Sequence, residues 1–258
     1  MKQTLKAAFW ISWYTFLEAL RSRLLLGIFV LLIPLAASAW MLDFYQIGFQ
    51  VKLVKDIGLS LMSLFGLLIV IFMSLEQIMP DLEKRSIYFL LTRCQDRRAY
   101  LIGRFAGVVS TLALFHGLMG FVLMLLLRWH DGAWFWEIPL GSLLLLLKQS
   151  VVVAIILMLA IVTTRIVVMS SAVLFYVLGH SQDIARMLLQ RKQIPALNWL
   201  LEGITLLIPD FGLYEMRLTV IHDLPIHLGA LGFLTFYTAM ACMLYLTFGS
   251  WLLTRRDL

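Results

Sequence analysis

The sequence predicts an all-α integral membrane protein with six transmembrane helices, preceded by an N-terminal interfacial helix. Three observations support this fold class. Hydrophobic residues make up 62% of the 258 residues and charged residues 14%, whereas soluble domains carry about 25% charged residues. Long apolar runs recur at roughly the 20 residues that a membrane-crossing helix needs. The runs also lack the alternation of a membrane barrel, and an open strand cannot satisfy its backbone in lipid.

Residues 1–23 form the first predicted element, an amphipathic helix that lies in the membrane interface. An apolar stripe with aromatic side chains and flanking basic residues is typical of such helices. The stripe recurs at helical spacing through Leu5, Phe9, Trp13, Phe16, Leu17 and Leu20. Two roles fit this pattern, a simple anchor for the chain and an elbow that grips a neighbouring subunit.

Residues 24–258 are predicted to form one six-span membrane domain. The fifth run is short, and we expect it to continue as an amphipathic helix into residues 184–189. The third and fourth are long enough to tilt. The six runs are Leu24–Leu42, Ile57–Leu75, Leu101–Leu127, Ile138–Val162, Ile166–His180 and Gly229–Leu253.

The distribution of Lys and Arg predicts that both termini lie in the cytoplasm and that the protein resides in the cell (inner) membrane. With the N-terminus inside, most basic residues fall on cytoplasmic segments, and several of the others fall in one long outer loop, residues 181–227, which counts weakly in this rule. The net charge of +6 is therefore interpreted as topology and not as nucleic-acid binding. A signal-peptidase cleavage at Ala37-Ser38-Ala39 is an alternative, but Glu18 and the amphipathic start argue against it.

The cytoplasmic loop at residues 76–100, between the second and third spans, is a charged island in an apolar chain. It carries both acidic and basic side chains, while residues 86–91 in its middle are apolar. Apolar side chains of this kind are unfavourable when they are left bare in water. The pattern predicts a surface on which a soluble protein docks, with the charges setting register and association rate.

The loop reads Glu83-Lys84-Arg85-Ser86-Ile87-Tyr88-Phe89-Leu90-Leu91, followed by Tyr100-Leu101-Ile102-Gly103-Arg104-Phe105. This constellation resembles the corresponding loop of ABC-2 type permeases, the membrane subunits of one class of ABC exporters. The start, Glu18 to Arg23, and the closing Arg255-Arg256-Asp257-Leu258 are also similar to that family. Three residues depart from the pattern: Cys94 replaces the usual proline, Asp96 the usual Ser or Thr, and Arg104 the usual lysine.

The resemblance implies a coupling helix in this loop that enters a cleft on an ATP-hydrolysing subunit. The chain would then be a transport subunit and not an enzyme, forming the pathway for ATP-driven export of an unidentified substrate. A second permease copy or a paralogue would complete the pathway, and the outer loop at 181–227 would contain gate-like helices. The implied coupling residues are Glu83, Lys84, Arg85, Ile87, Tyr88, Phe89, Leu90, Leu91 and Arg97.

No cofactor is expected in this chain itself. The phosphate-binding pattern Gly-x-x-x-x-Gly-Lys-Ser/Thr is absent from the sequence, as is any Gly-Lys pair. ATP and Mg²⁺ would therefore be bound by the partner ATPase subunit. Outer residues His130, Asp131, His222, Asp223 and His227 match no standard metal-site spacing, so we expect solvated or capping histidines there.

Three polar residues within the apolar runs, His116, Lys148 and Gln149, are predicted to line the pathway for an anionic or amphiphilic substrate. The alternative is a structural lysine that pairs with a neighbouring carbonyl or acid. The patterns Gly103-x-x-x-Gly107 and Gly117-x-x-Gly120 allow close helix approach, either within the chain or at a dimer seam, and we favour the first.

Two other function classes compete with the exporter hypothesis. A secondary transporter would be expected to show inverted repeats and interrupted helices at matched positions. An intramembrane lipid-modifying enzyme or a protease would need convergent acids, a Gly-x-Ser motif with a paired His, or His-Glu-x-x-His. The sequence shows neither internal inverted repeats nor a His-Glu-x-x-His motif.

Overall fold

The computed structural model describes residues 2–21, 50–83, 97–182, 208–215 and 228–255, and within these ranges the chain is helical and contains no strand. This confirms the predicted all-α class. A single-turn 3-10 helix, Gly212–Tyr214, lies between the last two α-helices. The α-helices are α1 (Lys2–Arg21), α2 (Gln50–Glu83), α3 (Arg97–Asp131), α4 (Glu137–Val162), α5 (Arg165–His180) and α6 (Leu228–Arg255).

Four of these helices are long and apolar enough to cross a membrane: α2, α3, α4 and α6. They correspond to the second, third, fourth and sixth predicted spans. Helices α2 and α3 contain 34 and 35 residues, or about 50 Å each at 1.5 Å per residue. A hydrocarbon core is only about 30 Å thick, so both helices extend past it, and their polar ends flank the charged loop.

The fifth predicted span is shorter than a full crossing. Helix α5 has 16 residues, about 24 Å, because it begins after the break at Thr163-Thr164 and ends at His180. Its predicted continuation, residues 184–189, lies outside the described residues. So does the first predicted span, Leu24–Leu42. The described part of the chain therefore supports four spans and one short apolar helix.

Helix α4 is the central helix of the bundle. Of its most apolar window, 67% is buried inside the protein, whereas only 22% of the corresponding window of α6 is buried. Residues 151–157 of α4 are all buried. A helix that is apolar on every side is typical of such a position. The other described spans, α2, α3 and α6, all contact α4.

Helix α1 packs along the N-terminal half of α3 through small residues. A Cβ atom placed on Gly107 would lie 2.5 Å from Cβ of Thr15 and 2.9 Å from the backbone oxygen of Ser12. Gly103 approaches Ala8 and Ile11 in the same way. The first glycine pattern therefore serves packing within the chain, as expected, because only glycine permits this separation of the two backbones.

The aromatic stripe of α1 faces away from the protein. Phe9 and Trp13 are 64% and 49% exposed, whereas Thr15 and Ala19 are buried against the bundle. Of the predicted stripe, Phe9 and Trp13 are therefore exposed, whereas Phe16, Leu17 and Leu20 are half-buried. The small-residue face opposite it was not predicted.

We expect Gly107→Ala to destabilise the protein and Gly117→Ala to stabilise it. Both exchanges occur within α3 and remove the same helix penalty, about 1 kcal/mol. Gly117 has nothing within 4 Å of an added Cβ, so only the favourable change remains there. At Gly107 the added methyl collides with α1 and costs about 1–3 kcal/mol.

Thermal unfolding of both variants in detergent micelles measures this difference. A Gly107→Ala midpoint at or above that of Gly117→Ala would show that α1 does not pack on α3 in this way.

Candidate functional site

In the structure α2 continues to Glu83 and α3 begins at Arg97, so residues 76–83 and 97–100 of the predicted loop are helical. The rest of the predicted loop, residues 84–96, lies outside the described residues. What the structure describes is therefore the base of the loop. The other predicted coupling residues lie outside the described residues: Lys84, Arg85, Ile87, Tyr88, Phe89, Leu90 and Leu91.

A buried guanidinium joins the two helices at this base. Nη2 of Arg104, on α3, is 2.5 Å from Oδ2 of Asp81 near the end of α2. Its Nη1 atom donates to Oε1 of Gln77, one turn earlier on α2. Tyr100 donates its hydroxyl to the same Asp81 oxygen at 2.6 Å. These side chains connect α2 to α3 next to the loop.

The same guanidinium also reaches α1. Nη1 of Arg104 donates to Oγ1 of Thr15 at 3.1 Å. The same nitrogen lies 3.7 Å from Oε2 of Glu18. Thr15 is also the residue that packs on Gly107, so the polar contact and the close approach coincide. Three helices meet at one side chain. We call Thr15, Gln77, Asp81, Tyr100 and Arg104 the Arg104 clamp.

The clamp needs an arginine at its centre. Its two terminal nitrogens contact different partners, Asp81 through one and Thr15 and Gln77 through the other. A lysine ammonium is a compact point charge without this fork. The side chains of Arg104 and Asp81 are only 8% and 14% exposed. The departure from the lysine of the ABC-2 pattern therefore suits a buried junction of three helices.

A second polar cluster lies in the middle of the bundle. Oε1 of Gln149, on α4, is 2.8 Å from Nε2 of His116 on α3, and Nε2 of Gln149 donates to the backbone oxygen of Ser63 on α2 at 3.3 Å. With the amide oxygen facing the ring, the His116 proton is assigned to Nε2. Such interhelical hydrogen bonds contribute about 0.6 kcal/mol on average in membranes. Gln149 thus links three helices.

Lys148 belongs to the same layer but points elsewhere. It is 3% exposed, and its Nζ lies 4.9 Å from the centre of the Tyr176 ring on α5. The Tyr176 hydroxyl is 3.2 Å from Oγ of Ser63. No acidic side chain of the described residues forms an ion pair with Lys148. Placing a lysine at mid-membrane costs about 2.5–3.5 kcal/mol on insertion scales.

A segment at the end of the bundle opposite the loop, residues 208–215, packs against α5 and α6. The backbone N–H of Phe211 donates to the Gly179 oxygen at 3.1 Å, which attaches the segment to the end of α5. The Tyr214 hydroxyl is 2.8 Å from Oγ1 of Thr238 on α6. Burial raises the pKa of Tyr214 to about 12, so its hydroxyl stays protonated at neutral pH. Of the loop predicted to contain gate-like helices, residues 183–207 and 216–227 lie outside the described residues.

A cavity of about 630 Å³ lies between parts of α4, α5 and α6. Its walls are mostly aromatic and aliphatic, among them Phe233, Phe236 and Phe248, and Tyr237 and Tyr245 also line it. The described residues that line it include none of the predicted pathway residues. The cavity and the buried polar cluster are therefore separate features.

The structure brings two of the three predicted pathway residues into contact, His116 and Gln149, and all three are 3% exposed or less. In this conformation all three side chains face protein. Burial of this kind is what a structural role for Lys148 would produce. The alternative's acidic partner is not found among the described residues. Tyr176 and the Asp81–Arg104 pair were not predicted, because neither forms a recognisable motif.

The histidines and acids named as possible metal ligands are only partly described. Within the described residues, no group of three or more His, Cys, Asp and Glu side chains is placed to hold a metal ion. His222, Asp223 and His227 lie outside these residues, as do the side chains of His130 and Asp131.

Neither a protein-family model nor a curated protein sequence matches the chain. The function therefore has to be inferred from the two polar clusters and the loop between α2 and α3.

We expect Arg104→Met to lower the free energy of unfolding by about 3–5 kcal/mol, because it leaves the buried Asp81 carboxylate without its cation. Adding Asp81→Asn should recover part of this loss, since no buried charge then remains unpaired. Denaturant titration in micelles measures both changes.

Arg255→Met is the matched control. Arg255 is an exposed arginine at the end of α6 and lies over the Trp251 ring at 4.1 Å. An exposed contact of this kind contributes about 0.5–1 kcal/mol. Equal losses for the two arginine variants would mean that the Arg104 clamp is not a buried junction.

Proposed function

We propose that this chain is the membrane-spanning permease subunit of an ABC exporter of the ABC-2 type. In this proposal a separate subunit binds ATP and Mg²⁺, hydrolyses the nucleotide and docks on the loop between α2 and α3. The loop's resemblance to the ABC-2 pattern supports the assignment, and so does the absence of a phosphate-binding loop from the sequence. The four long apolar helices provide the membrane-crossing part.

The observation that carries the proposal is the position of the Arg104 clamp at the base of this loop. A loop that transmits force must not bend away from the helices that it is meant to move. The Asp81–Arg104 pair holds the ends of α2 and α3 together, and Thr15 adds α1 to the same unit. A push on the loop would therefore move three helices together.

The motion would reach the middle of the membrane through α2. Ser63 on this helix accepts the hydrogen bond from Gln149 and contacts Tyr176, about 27 Å from Asp81 at 1.5 Å per residue. A shift of α2 along its axis would break or remake both contacts. This sequence of contacts offers a physical route for alternating access from an ATP-driven closure.

Several finer features belong to the proposal. They are six spans, with residues 24–42 as the first and α5 extended to a full crossing, and α1 as an interfacial elbow helix. Both termini lie in the cytoplasm, and the protein resides in the inner membrane. Two such subunits, or this one and a paralogue, enclose the pathway.

A proton- or ion-coupled secondary transporter is the second candidate, and Lys148 is the observation that favours it. Intramembrane ionisable residues often mark ion and proton pathways. The two functions differ in one simple respect, since only the exporter requires an ATPase partner. An intramembrane enzyme has less support, because Lys148 and His116 have no acidic ion-pair partner among the described residues.

We expect Leu90→Asp to abolish co-purification of the ATPase partner while the permease stays folded. The charge would be placed in the apolar part of the docking surface, where it cannot be desolvated cheaply. Glu83→Arg on its own should weaken the association, because it reverses a charge at the start of the docking surface. Pull-down from solubilised membranes with a tagged permease measures partner binding directly.

Leu213→Asp is the matched control for this experiment. Leu213 is 42% exposed and lies in the segment docked at the opposite end of the bundle, beside Gly179. The same chemical change there should leave the ATPase bound. Retention of the partner by both loop variants would remove the loop as the docking surface.

A further inference from the structure

The strongest unassigned feature is the seam between α2 and α5 above Lys148. The lysine is 3% exposed and lies near the centre of the 26-residue α4. Among the described residues its ammonium contacts the face of the Tyr176 ring and has no carboxylate partner. A charged lysine at this depth without an acidic partner is unfavourable, so a bound anion would stabilise it.

The neighbouring sequence supplies no counter-charge either. Helices α5 and α6 contain no Asp or Glu, and α4 carries only Glu137, in its first turn. On α2 the acid nearest to Ser63 in the sequence is Asp56, about 10 Å away along the helix. Asp56 already has an interaction of its own. None of the described helices therefore places a carboxylate beside Lys148.

Tyr176 covers this cation on the side of the seam. Its hydroxyl meets Oγ of Ser63 at 3.2 Å, and both residues are only half-buried. The Tyr176 ring also stacks on His180 and lies 5.9 Å from the Phe211 ring, centre to centre, so an incoming head group would have to displace it from these contacts. The residues next to Ser63 and Tyr176, Leu64 on α2 and Val177 on α5, are exposed and apolar. The seam thus combines a buried lysine, an aromatic cover and apolar flanks.

We propose that Lys148 and Tyr176 form a binding site for the anionic head group of an amphiphile, whose apolar tail lies along the seam between α2 and α5. The depth selects this class, because an anion without a tail would have to enter the hydrocarbon unaided. The head group is an oxyanion, either a phosphate or a carboxylate, since both accept hydrogen bonds from an ammonium and from the tyrosine hydroxyl. The inference rests on the proposed function only in treating this molecule as cargo.

The test uses the purified full chain in detergent without an ATPase, so its failure is distinguishable from failure of the exporter assignment. Native mass spectrometry follows titration with dioleoyl phosphatidic acid, oleate and dioleoylglycerol. We expect an anionic probe to bind at least about tenfold more tightly than the neutral one. Preference for phosphatidic acid alone assigns a phosphate site, and preference for oleate alone assigns a carboxylate site.

Lys148→Met should abolish this preference, Lys148→Arg should keep it, and Arg165→Met should keep it as a control for an exposed basic residue on α5. Removing a lysine from mid-membrane favours insertion, so we expect Lys148→Met to fold. Thermal melts add a second readout, because the anionic probe should raise the midpoint of the unmodified chain and not that of Lys148→Met. No preference in the unmodified chain, or a preference that survives in Lys148→Met, overturns the proposal.

Discussion

The structure depends on how one guanidinium is kept out of water. Arg104 is buried where α1, α2 and α3 meet, and it is tolerable there only because Asp81, Gln77 and Thr15 surround it. Loss of Asp81 would leave the guanidinium charge uncompensated in a site of low dielectric, and loss of Gln77 or Thr15 would leave one of its N–H groups unpaired. The three helices are consequently bound to move together or to separate at a high cost in free energy.

This constraint explains why small residues lie at the contact between α1 and α3. Gly107 lets Thr15 approach α3 closely enough for its hydroxyl to reach Arg104. The aromatic side of α1 is free to contact lipid, because the packing uses the opposite face. A helix that is held by one face and exposed on the other is well placed to follow a movement of α3.

Much of the fold follows from residue type alone. Length and hydropathy locate α2, α3, α4 and α6, because lipid requires a helix of about 20 apolar residues wherever the chain crosses. The fifth predicted run, Ile166–His180, coincides with α5 to within one residue, and its predicted continuation lies outside the described residues. The glycine pattern at 103 and 107 indicated close packing, but the partner helix is decided by tertiary contacts.

The candidate site was only partly predictable for a related reason. The sequence identified Lys148, Gln149 and His116 as unusual, yet adjacent residues on a helix point about 100° apart. Gln149 consequently meets His116, whereas Lys148 meets Tyr176. The Asp81–Arg104 pair spans 23 positions across the loop, and its formation depends on the relative register of α2 and α3, which hydropathy does not contain.

The side of the membrane on which the loop lies tests the central claim most directly. Cys94 lies within the loop, and the other cysteine of the chain, Cys242, is buried. A membrane-impermeant maleimide should label Cys94 in inside-out vesicles and leave it unlabelled in intact cells, with Cys94→Ser as the background control. Labelling of Cys94 from outside intact cells would place the loop on the side without ATP and contradict the account.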